Sequence, residues 1–288
     1  MKNMTGDKET IFVAFCNQKG GAGKSTSSMN IATAIWYDLY LKLDVSLWDC
    51  DNPHYSTSVL RLNDEIDIAQ VMQLVESGKM KSLKKALDDL NQVLIERKTE
   101  ECYPIKAIYS PEEGVEITKG RRIDEFSEKK QGVTIKEAMN DTLGNYDVVL
   151  LDLPGKLDSN ETIELIPYID YLMIPMDYDS KSMDSTMATI RFITEFASTL
   201  DQPPPFLRNN KIFLYFSKYK KGITIAKKEF AENEIIKAFP LVKAYKSYIS
   251  EAENIKEDVL KTILPLPGTS ANNEHFTNFY NEFITMII

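Results

Sequence analysis

A glycine-rich segment at residues 19–26 (KGGAGKST) constrains the fold of this chain more than any other part of the sequence. It follows residues 11–16 (IFVAFC), an apolar run rich in β-formers that is typical of a buried strand. It leads into residues 25–42, which contain no Gly or Pro and carry apolar side chains at helical spacing. Glycines let successive backbone N–H groups face one point, and a helix N-terminus adds its own unpaired N–H groups. The sequence therefore predicts a phosphate-binding loop between a strand and a helix.

This loop contains the side chains that bind phosphate and magnesium in nucleotide-binding proteins. Lys24 can neutralise the β- and γ-phosphates, and the hydroxyl of Ser25 can ligate Mg²⁺. The strict phosphate-loop pattern has a glycine at the position of Gln18, whereas this chain has a second lysine, Lys19, directly before the glycines. The predicted nucleotide-binding residues of the loop are Gly20, Gly21, Ala22, Gly23, Lys24, Ser25 and Thr26.

Strand-like and helix-like segments alternate along the rest of the chain. This alternation predicts an α/β fold with a doubly wound, mostly parallel sheet flanked by helices. We expect a single domain over residues 1–288, a flexible N-terminus at residues 1–10, and a mobile, charged excursion at residues 111–132. The predicted strands are residues 45–48, 104–109, 147–151, 171–175 and 211–216, and the clearest helices are residues 80–97, 134–143 and 182–200.

Three aspartates follow predicted strands whose carboxyl ends meet at the edge of the sheet that holds the loop. Asp49 and Asp51 follow one strand, and Asp152 follows another. A carboxylate in such a position can hold Mg²⁺ through water, so Asp49 and Asp152 join Ser25 as predicted metal ligands. Asp51 is placed to orient an attacking water. The alternative for Asp49 and Asp51 is a pair that only caps the loop after the strand.

The loop resembles the deviant Walker A motif of the ParA/MinD family of ATPases, and further segments agree with that family in order and spacing. Residues 49–54 (DCDNPH) are similar to its D-x-D-P-Q motif, with an extra Asn52 and with His54 in place of Gln. Residues 147–155 (DVVLLDLPG) resemble its Walker B strand and second switch loop, and residues 171–175 resemble its next strand, which also ends in proline. The resemblance is strongest over residues 11–53 and 147–200.

This resemblance implies a P-loop NTPase fold, Mg²⁺-dependent hydrolysis of ATP to ADP and phosphate, and an ATP-dependent homodimer. In the family, the lysine at the position of Lys19 reaches across the dimer interface to the partner's nucleotide, and the second aspartate of the motif, here Asp51, orients the attacking water. Lys19, Lys24 and Asp51 are thus the predicted catalytic residues. We also expect backbone contacts from Gly155 near the γ-phosphate and from Pro265 near the base.

The ParA-type members that the chain resembles imply a biological role as well. We expect partition or maintenance of a plasmid or of an integrated mobile element such as a conjugative transposon. A ParB-like or other activating protein is the expected partner.

The charge balance bears on DNA as a further partner. The chain has 34 basic and 43 acidic residues and a net charge of −9, which opposes non-specific binding to nucleic acid by the protein as a whole. Residues 208–228 run against this balance, because they include seven lysines and arginines and no acidic residue. Two interpretations stay open for this stretch. It is either a solvated face or a patch that binds duplex DNA without sequence preference through Lys218, Lys220, Lys221 and Lys227.

Composition argues against several other classes of protein. No apolar stretch reaches the ~18 residues that span a bilayer, and the N-terminus MKNMTGDKET has no apolar core of a signal peptide. Cys16, Cys50 and Cys102 form no C-x-x-C pair, and the chain has only two histidines, which argues against a zinc or iron–sulfur centre. We expect a cytoplasmic protein.

Two other functions on the same fold stay open. A metabolic enzyme such as an ATP-dependent amide ligase or a dethiobiotin-synthetase-like enzyme needs a phosphate loop but no Lys19. A MinD-like positioner at a membrane surface needs an amphipathic C-terminal helix, and Phe279 and Phe283 lie on such an apolar face. The opposite face carries Asn281 and Glu282 instead of Lys or Arg. We therefore expect this helix to dock on the protein's own body, with no membrane binding.

Overall fold

The computed structural model describes residues 9–51, 92, 95–98, 104–108, 115–118, 127–130, 132–218, 225–249 and 272–288. Its strands are β1 (Ile11–Phe15), β2 (Val45–Asp49), β3 (Ile105–Ile108), β4 (Val115–Thr118), β5 (Ser127–Lys130), β6 (Val148–Asp152), β7 (Tyr171–Met176), β8 (Ile212–Phe216) and β9 (Val242–Ala244). Its helices are α1 (Lys24–Tyr37), α2 (Ile135–Asn140), α3 (Asn160–Leu165), α4 (Ser180–Thr199), α5 (Pro205–Arg208), α6 (Ile225–Ala238) and α7 (Asn272–Ile287), and a 3₁₀ turn (Ile166–Tyr168) precedes β7.

These strands form one sheet in the order β5-β4-β3-β2-β6-β1-β7-β8-β9. The seven strands from β3 to β9 in this order pair in parallel, and β4 and β5 extend the sheet antiparallel at one edge. Strands lie on both sides of β1 and helices pack on both faces, so the sheet is doubly wound. The fold predicted from the alternation of strands and helices is confirmed.

Most predicted elements coincide with observed ones. Six strands were predicted. Five of them match β1, β2, β6, β7 and β8 within one residue at each end, and β3 lies inside the sixth, residues 104–109. Helix α4 begins two residues before the predicted start because the side chain of Asp179 accepts a hydrogen bond from Ser182 N and caps it. Of the predicted helix at residues 80–97, residues 92 and 95–97 are described and helical, and the rest lie outside the described residues.

Part of the predicted mobile excursion at residues 111–132 is β structure. β4 pairs with β3, and β5 pairs with β4, both antiparallel. The alternation of Val115 and Ile117 with Glu116 was the available signal, because period-two alternation is typical of a half-buried strand. Val115 is buried, so burial on one face outweighs the charge of this segment.

The register of the central strands sets the place of the site. Asp49 at the end of β2 lies opposite Asp152 at the end of β6, and Asp152 in turn lies opposite Phe15 at the end of β1. Because the strands are parallel, the segments that leave β1, β2 and β6 all start from the same edge. The phosphate loop after β1 and the aspartates of β2 and β6 are thereby brought together.

Side chains of β1 alternate between the two faces of the sheet. Phe12 and Ala14 belong to the core that includes α4, whereas Val13 and Phe15 belong to the core that includes α1 and α7. These four side chains are buried. The anchor of the phosphate loop is therefore a strand packed on both sides, which makes the start of the loop rigid.

The C-terminal helix α7 docks on the sheet, as expected. Phe279 and Phe283 are fully buried in the core with α1. Glu282, on the polar face of α7, also fixes the helix. Its carboxylate accepts hydrogen bonds from the backbone N–H groups of Lys246 (3.0 Å) and Ser247 (2.9 Å) after β9. Within the described ranges, no helix has the length and apolar character needed to cross a bilayer.

Candidate nucleotide site

The glycine-rich loop lies between β1 and α1, as predicted. Gly21 and Gly23 have positive φ values of 73° and 93°, a conformation that favours glycine. α1 begins directly after Gly23, with no side chain capping its first N–H groups and no acidic residue in its first turn. Uncapped N–H groups and the positive end of a helix attract anions. The loop is thus built to receive phosphate.

Ser217, directly after β8, fixes the end of the loop. Its hydroxyl donates a hydrogen bond to the carbonyl of Ala22, and its backbone N–H donates to Met176 O at 3.1 Å. A methyl group at Gly23 would lie 2.9 Å from Ser217 Cβ, closer than side-chain carbons pack. Glycine is required at this position by both the backbone conformation and the contact. Ser217 was not among the residues predicted for the site. The hydroxyl directly after an apolar strand was the feature of the sequence that could have indicated it.

The side chain of Asn17 fixes the start of the loop. This residue is fully buried between β1, β7 and α4. Its amide uses both ends, donating to two acceptors and accepting from two donors, so it positions the backbone that enters the loop. The amide nitrogen donates to Pro175 O (2.7 Å) and Thr186 Oγ1 (3.0 Å), and the amide oxygen accepts from Lys19 N (2.9 Å) and Ser185 Oγ (3.1 Å).

The backbone of Gln18 is held from two sides. Its N–H donates to Thr189 Oγ1 of α4 at 3.0 Å. On the other side, a methyl group at Gly155 would lie 3.3 Å from Gln18 O, so the predicted switch loop approaches the phosphate loop closely. Gly155 is therefore adjacent to the loop, and its contact near the γ-phosphate stays a prediction. The sequence did not single out the polar face of α4 that makes these contacts.

Lys24 starts α1 and is only 6% exposed. Its charge lies near Cys16 at the end of β1, where burial raises the pKa of the thiol to about 12 and the Lys24 ammonium partly opposes that rise. The thiol is thus protonated and chemically inert at neutral pH. This agrees with a structural interpretation of Cys16 and leaves Lys24 as the charged group at the base of the loop.

The three aspartates named from the sequence gather at the same edge. Asp49 and Asp152 are fully buried, and Asp51 is half-buried, with its N–H 3.4 Å from Asp49 Oδ1. Burial raises the pKa of Cys50, and the charges of Asp49 and Asp152 raise it further. Carboxylate and hydroxyl oxygens are the ligands that Mg²⁺ prefers, so the assignment of Ser25, Asp49 and Asp152 as metal ligands stays a prediction.

Lys19 is held by a carboxylate that the sequence analysis did not name. Its ammonium forms an ion pair with Asp179 Oδ2 at 2.5 Å, and the hydrogen bond from Lys19 lowers the pKa of Asp179. Asp179 also caps α4, accepting from Ser182 N through Oδ1 at 2.7 Å. The side chains of Lys19 and Asp179 are 27% and 49% exposed. The pair is accessible to solvent at the rim of the loop.

The remaining predicted residues have mixed outcomes. Thr26 lies in the first turn of α1 and is half-buried. Pro265, Lys220 and Lys221 lie outside the described residues. Lys227 is in helix α6, and Lys218 is half-buried beside the phosphate loop.

The phosphate loop lies between β1 and α1, and aspartates end the strands β6 and β2 on one side of β1. This arrangement defines a P-loop nucleoside-triphosphate-binding protein. The sequence profile of a family described as "AAA domain" matches residues 10–203, about two thirds of the chain. The chain therefore belongs to this family, and it is a ParA/MinD-type P-loop ATPase.

Individual relatives agree with this assignment. The sporulation initiation inhibitor protein Soj of Bacillus subtilis is 25% identical over 191 residues, which cover 65% of this chain and 67% of Soj. A plasmid partition protein from Borrelia burgdorferi B31, solved with AMPPNP, superposes with a TM-score of 0.54 at 19% identity, over 97% of this chain and 100% of that one.

An enzyme of metabolism shares the fold as well. Cobyrinic acid a,c-diamide synthase from Mycobacterium smegmatis, solved with ADP and magnesium, superposes with a TM-score of 0.53 at 14% identity, over 96% of this chain and 94% of that one. At such identities the likeness concerns the fold alone. The choice between a partition ATPase and a metabolic enzyme must therefore rest on the residues of this chain.

Proposed function

We propose that this ATPase works as a nucleotide-dependent homodimer in the partition or maintenance of a plasmid or mobile element. The observation that carries the proposal is Lys19. Lys24 already supplies a buried ammonium at the loop, so a second lysine before the glycines is surplus to one subunit's own phosphates. Lys19 instead sits at the exposed rim, paired with Asp179, where a second subunit can approach.

The chemistry follows from the residues around the loop. The N–H groups of residues 20–26 and the ammonium of Lys24 bind the phosphates of ATP. Ser25, Asp49 and Asp152 would hold Mg²⁺, which when bound neutralises charge on the β- and γ-phosphate oxygens. Asp51 orients the attacking water. Gly155, whose backbone lies close to Gln18, would offer its N–H toward the γ-phosphate.

The ion pair between Lys19 and Asp179 is compatible with a change of partner. Exposed ion pairs contribute roughly 0–1 kcal/mol, because water competes for both groups. Lys19 can therefore leave Asp179 at little cost when a more concentrated negative charge, the phosphates of a partner's ATP, comes within reach. In this way ATP would join two subunits, and hydrolysis would release them.

The C-terminal helix argues against a membrane-surface positioner. Phe279 and Phe283, the residues that such a helix would insert into lipid, are fully buried against the sheet. Glu282 further ties α7 to the segment after β9. A membrane role would require these contacts to be broken first. The basic segment at residues 208–228 makes duplex DNA the more plausible surface for the dimer.

The proposal is tested by the oligomeric state of three variants with ATP and with ADP, measured by gel filtration with light scattering. Lys19→Ala should bind ATP and stay monomeric. Asp51→Ala should bind ATP, lose hydrolysis and accumulate as a dimer. Lys181→Ala, which removes an exposed lysine beside Asp179, should behave as the wild type.

Duplex DNA added to each sample tests the second part of the proposal, because only the dimeric species should bind it. If Lys19→Ala dimerises with ATP as the wild type does, Lys19 does not act across an interface and the proposed mechanism is wrong. A wild type that stays monomeric with ATP would favour a metabolic enzyme on this fold.

A further inference from the structure

We propose that Lys218 is a nucleotide-binding residue, whose ammonium lies over the Gly21 end of the phosphate loop and contacts the phosphates of bound ATP. The sequence analysis grouped Lys218 with three lysines as a contact to DNA. In the structure Lys218 lies two residues after β8 and is half-buried, with its ammonium beside Gly21 of the loop. The inference rests on the proposed placement of ATP in the loop.

The position of Lys218 is determined by its neighbour. Ser217 is buried, donates its hydroxyl to Ala22 O, and leaves no room for a side chain at Gly23. The chain after β8 is therefore tied to the loop at two adjacent residues. Lys218 comes next and continues along the loop, and a methyl group at Gly21 would lie 3.8 Å from Lys218 Nζ. The ammonium thus lies beside Gly21, within reach of a ligand bound in the loop.

The surroundings of the ammonium favour an anion as its partner. Gly21 has a positive φ in the glycine-rich loop, and α1, which follows the loop, has no acidic residue in its first turn. In the part of the chain that the structure describes, no carboxylate forms an ion pair with Lys218. Lys19, by contrast, is neutralised by Asp179. The site therefore has two positive charges, Lys24 at the base of the loop and Lys218 beside Gly21. A bound triphosphate would neutralise them.

A contact to DNA is the competing role for Lys218. A lysine that contacts DNA must project its ammonium outward, whereas the ammonium of Lys218 lies beside Gly21 of the phosphate loop. The two roles make different predictions. A nucleotide contact changes the affinity for ATP in the absence of DNA, whereas a DNA contact changes only the affinity of the ATP-bound protein for DNA.

Affinity for ATP, measured by titration calorimetry without DNA, tests the inference. Lys218→Met keeps a side chain of similar length and removes the charge, and it should weaken ATP binding about tenfold, since a hydrogen bond to a charged group contributes about that much. Lys218→Arg should stay within about twofold of the wild type. Lys243→Met, an exposed lysine on β9, is the matched control and should change nothing.

Salt provides a readout that a packing role would not change. Raising KCl from about 0.1 M to about 1 M shortens the screening length from about 10 Å to about 3 Å. The difference in affinity between wild type and Lys218→Met should shrink accordingly. A salt-independent loss, or an equal loss in Lys218→Arg and Lys218→Met, would mean that the stem of the lysine packs on Gly21, and the charge-based role would be wrong.

Two further measurements separate this inference from the proposed function. At ATP concentrations above its own dissociation constant, Lys218→Met should bind DNA as the wild type does; a loss of DNA binding with unchanged ATP affinity would make Lys218 a DNA contact and overturn the inference. Lys24→Ala tests the site itself. If Lys24→Ala loses ATP binding and Lys218→Met does not, only the inference about Lys218 fails. If neither variant changes ATP binding, ATP does not occupy this loop and the proposed function fails too.

Discussion

At the scale of single residues, the glycines of the phosphate loop differ in what a side chain would meet. A methyl group at Gly20 would meet nothing within 4 Å, whereas one at Gly23 would lie 2.9 Å from Ser217 Cβ on a backbone with φ of 93°. Gly23 is thus needed for the shape of the loop. Gly20 has no such structural reason, so its glycine is explained better by what must approach it from outside, such as a nucleotide.

This difference predicts the effect of adding one methyl group. Gly23→Ala should lower the free energy of unfolding by about 1–3 kcal/mol, because the left-handed conformation is strained for alanine and Ser217 must move. Gly20→Ala should leave it within about 0.5 kcal/mol. Urea denaturation without nucleotide measures both. Equal stability of the two variants would show that Ser217 does not confine the loop.

A second residue-scale prediction concerns Asp179, which has two separable tasks. Asp179→Ser keeps a hydroxyl acceptor for the N-terminus of α4 but removes the charge that holds Lys19. With Lys19 released, the variant should dimerise with ATP at a lower protein concentration than the wild type, in light-scattering titrations. Stability should change little. Weaker dimerisation than that of the wild type would instead mean that Asp179 positions Lys19 for the interface.

Acid pH should reproduce part of this effect. The hydrogen bond from Lys19 lowers the pKa of Asp179, so the carboxylate stays charged at neutral pH. The ion pair is therefore fully present above the ordinary pKa of an aspartate and is lost as the pH falls through the lowered value. Dimerisation of the wild type should therefore strengthen as the pH falls through that lowered value and should not change with pH through this group near neutrality. A parallel pH series on Asp179→Ser, which lacks the carboxylate, should show no such rise.

At the scale of elements, two helices determine how the site is supported. α4 supplies Ser185, Thr186 and Thr189 to the start of the phosphate loop, so its polar face is a functional support rather than a solvated surface. α7 contributes apolar side chains to the core on the other face of the sheet, beside α1. α4 thus supports the loop where it leaves β1, and α7 supports it through the core that it shares with α1.

For α7, the contact with the sheet predicts a large loss of stability when a core side chain is truncated. Phe283→Ala should lower the free energy of unfolding by about 3–5 kcal/mol, the usual cost of removing a buried phenyl ring. Ile288→Ala, at a side chain that is 70% exposed, should cost less than about 0.5 kcal/mol. Chemical denaturation measures both. A small effect of Phe283→Ala would mean that α7 is detached in solution.

At the scale of the whole molecule, charge opposes the proposed binding to DNA. The net charge of −9 repels a polyanion, and a few lysines in one subunit compensate for it poorly. Dimerisation doubles the number of lysines on one rigid body without requiring any new contact within a subunit. Nucleotide-dependent binding to DNA would then follow from nucleotide-dependent assembly alone.

The salt dependence of DNA binding tests this argument. If Lys220, Lys221 and Lys227 of each subunit contact phosphates, the ATP-bound dimer should show a slope of log affinity against log salt near −5, from about −0.9 per contact. Replacing Lys220 and Lys221 with alanine should flatten the slope by roughly 3 to 4. The charge-matched variant Lys136→Ala/Lys237→Ala should leave it unchanged. No binding at low salt would mean that DNA is reached through a partner protein.

The phosphate loop, the parallel sheet and the aspartates at its edge could all be predicted from the amino-acid sequence. These features depend on local patterns: apolar runs, glycine spacing, and acidic residues directly after strands. The same local reasoning missed β4 and β5. The many charged side chains of residues 111–132 led to the prediction of a mobile excursion, although Val115 and Ile117 alternate with polar residues as in a strand.

The surroundings of the loop could not be predicted in this way, because they depend on how the whole chain folds. Asn17, Asp179 and Ser217 each have a partner more than 150 positions away in the sequence, and no local pattern links Ser217 to Ala22, 195 positions away. The same folding turned Lys218 from one member of a basic stretch into a neighbour of Gly21. Contacts of this kind arise because parallel strands end at one edge, where side chains from separate segments meet, and pairing across such distances is set by packing of the whole sheet rather than by residue type.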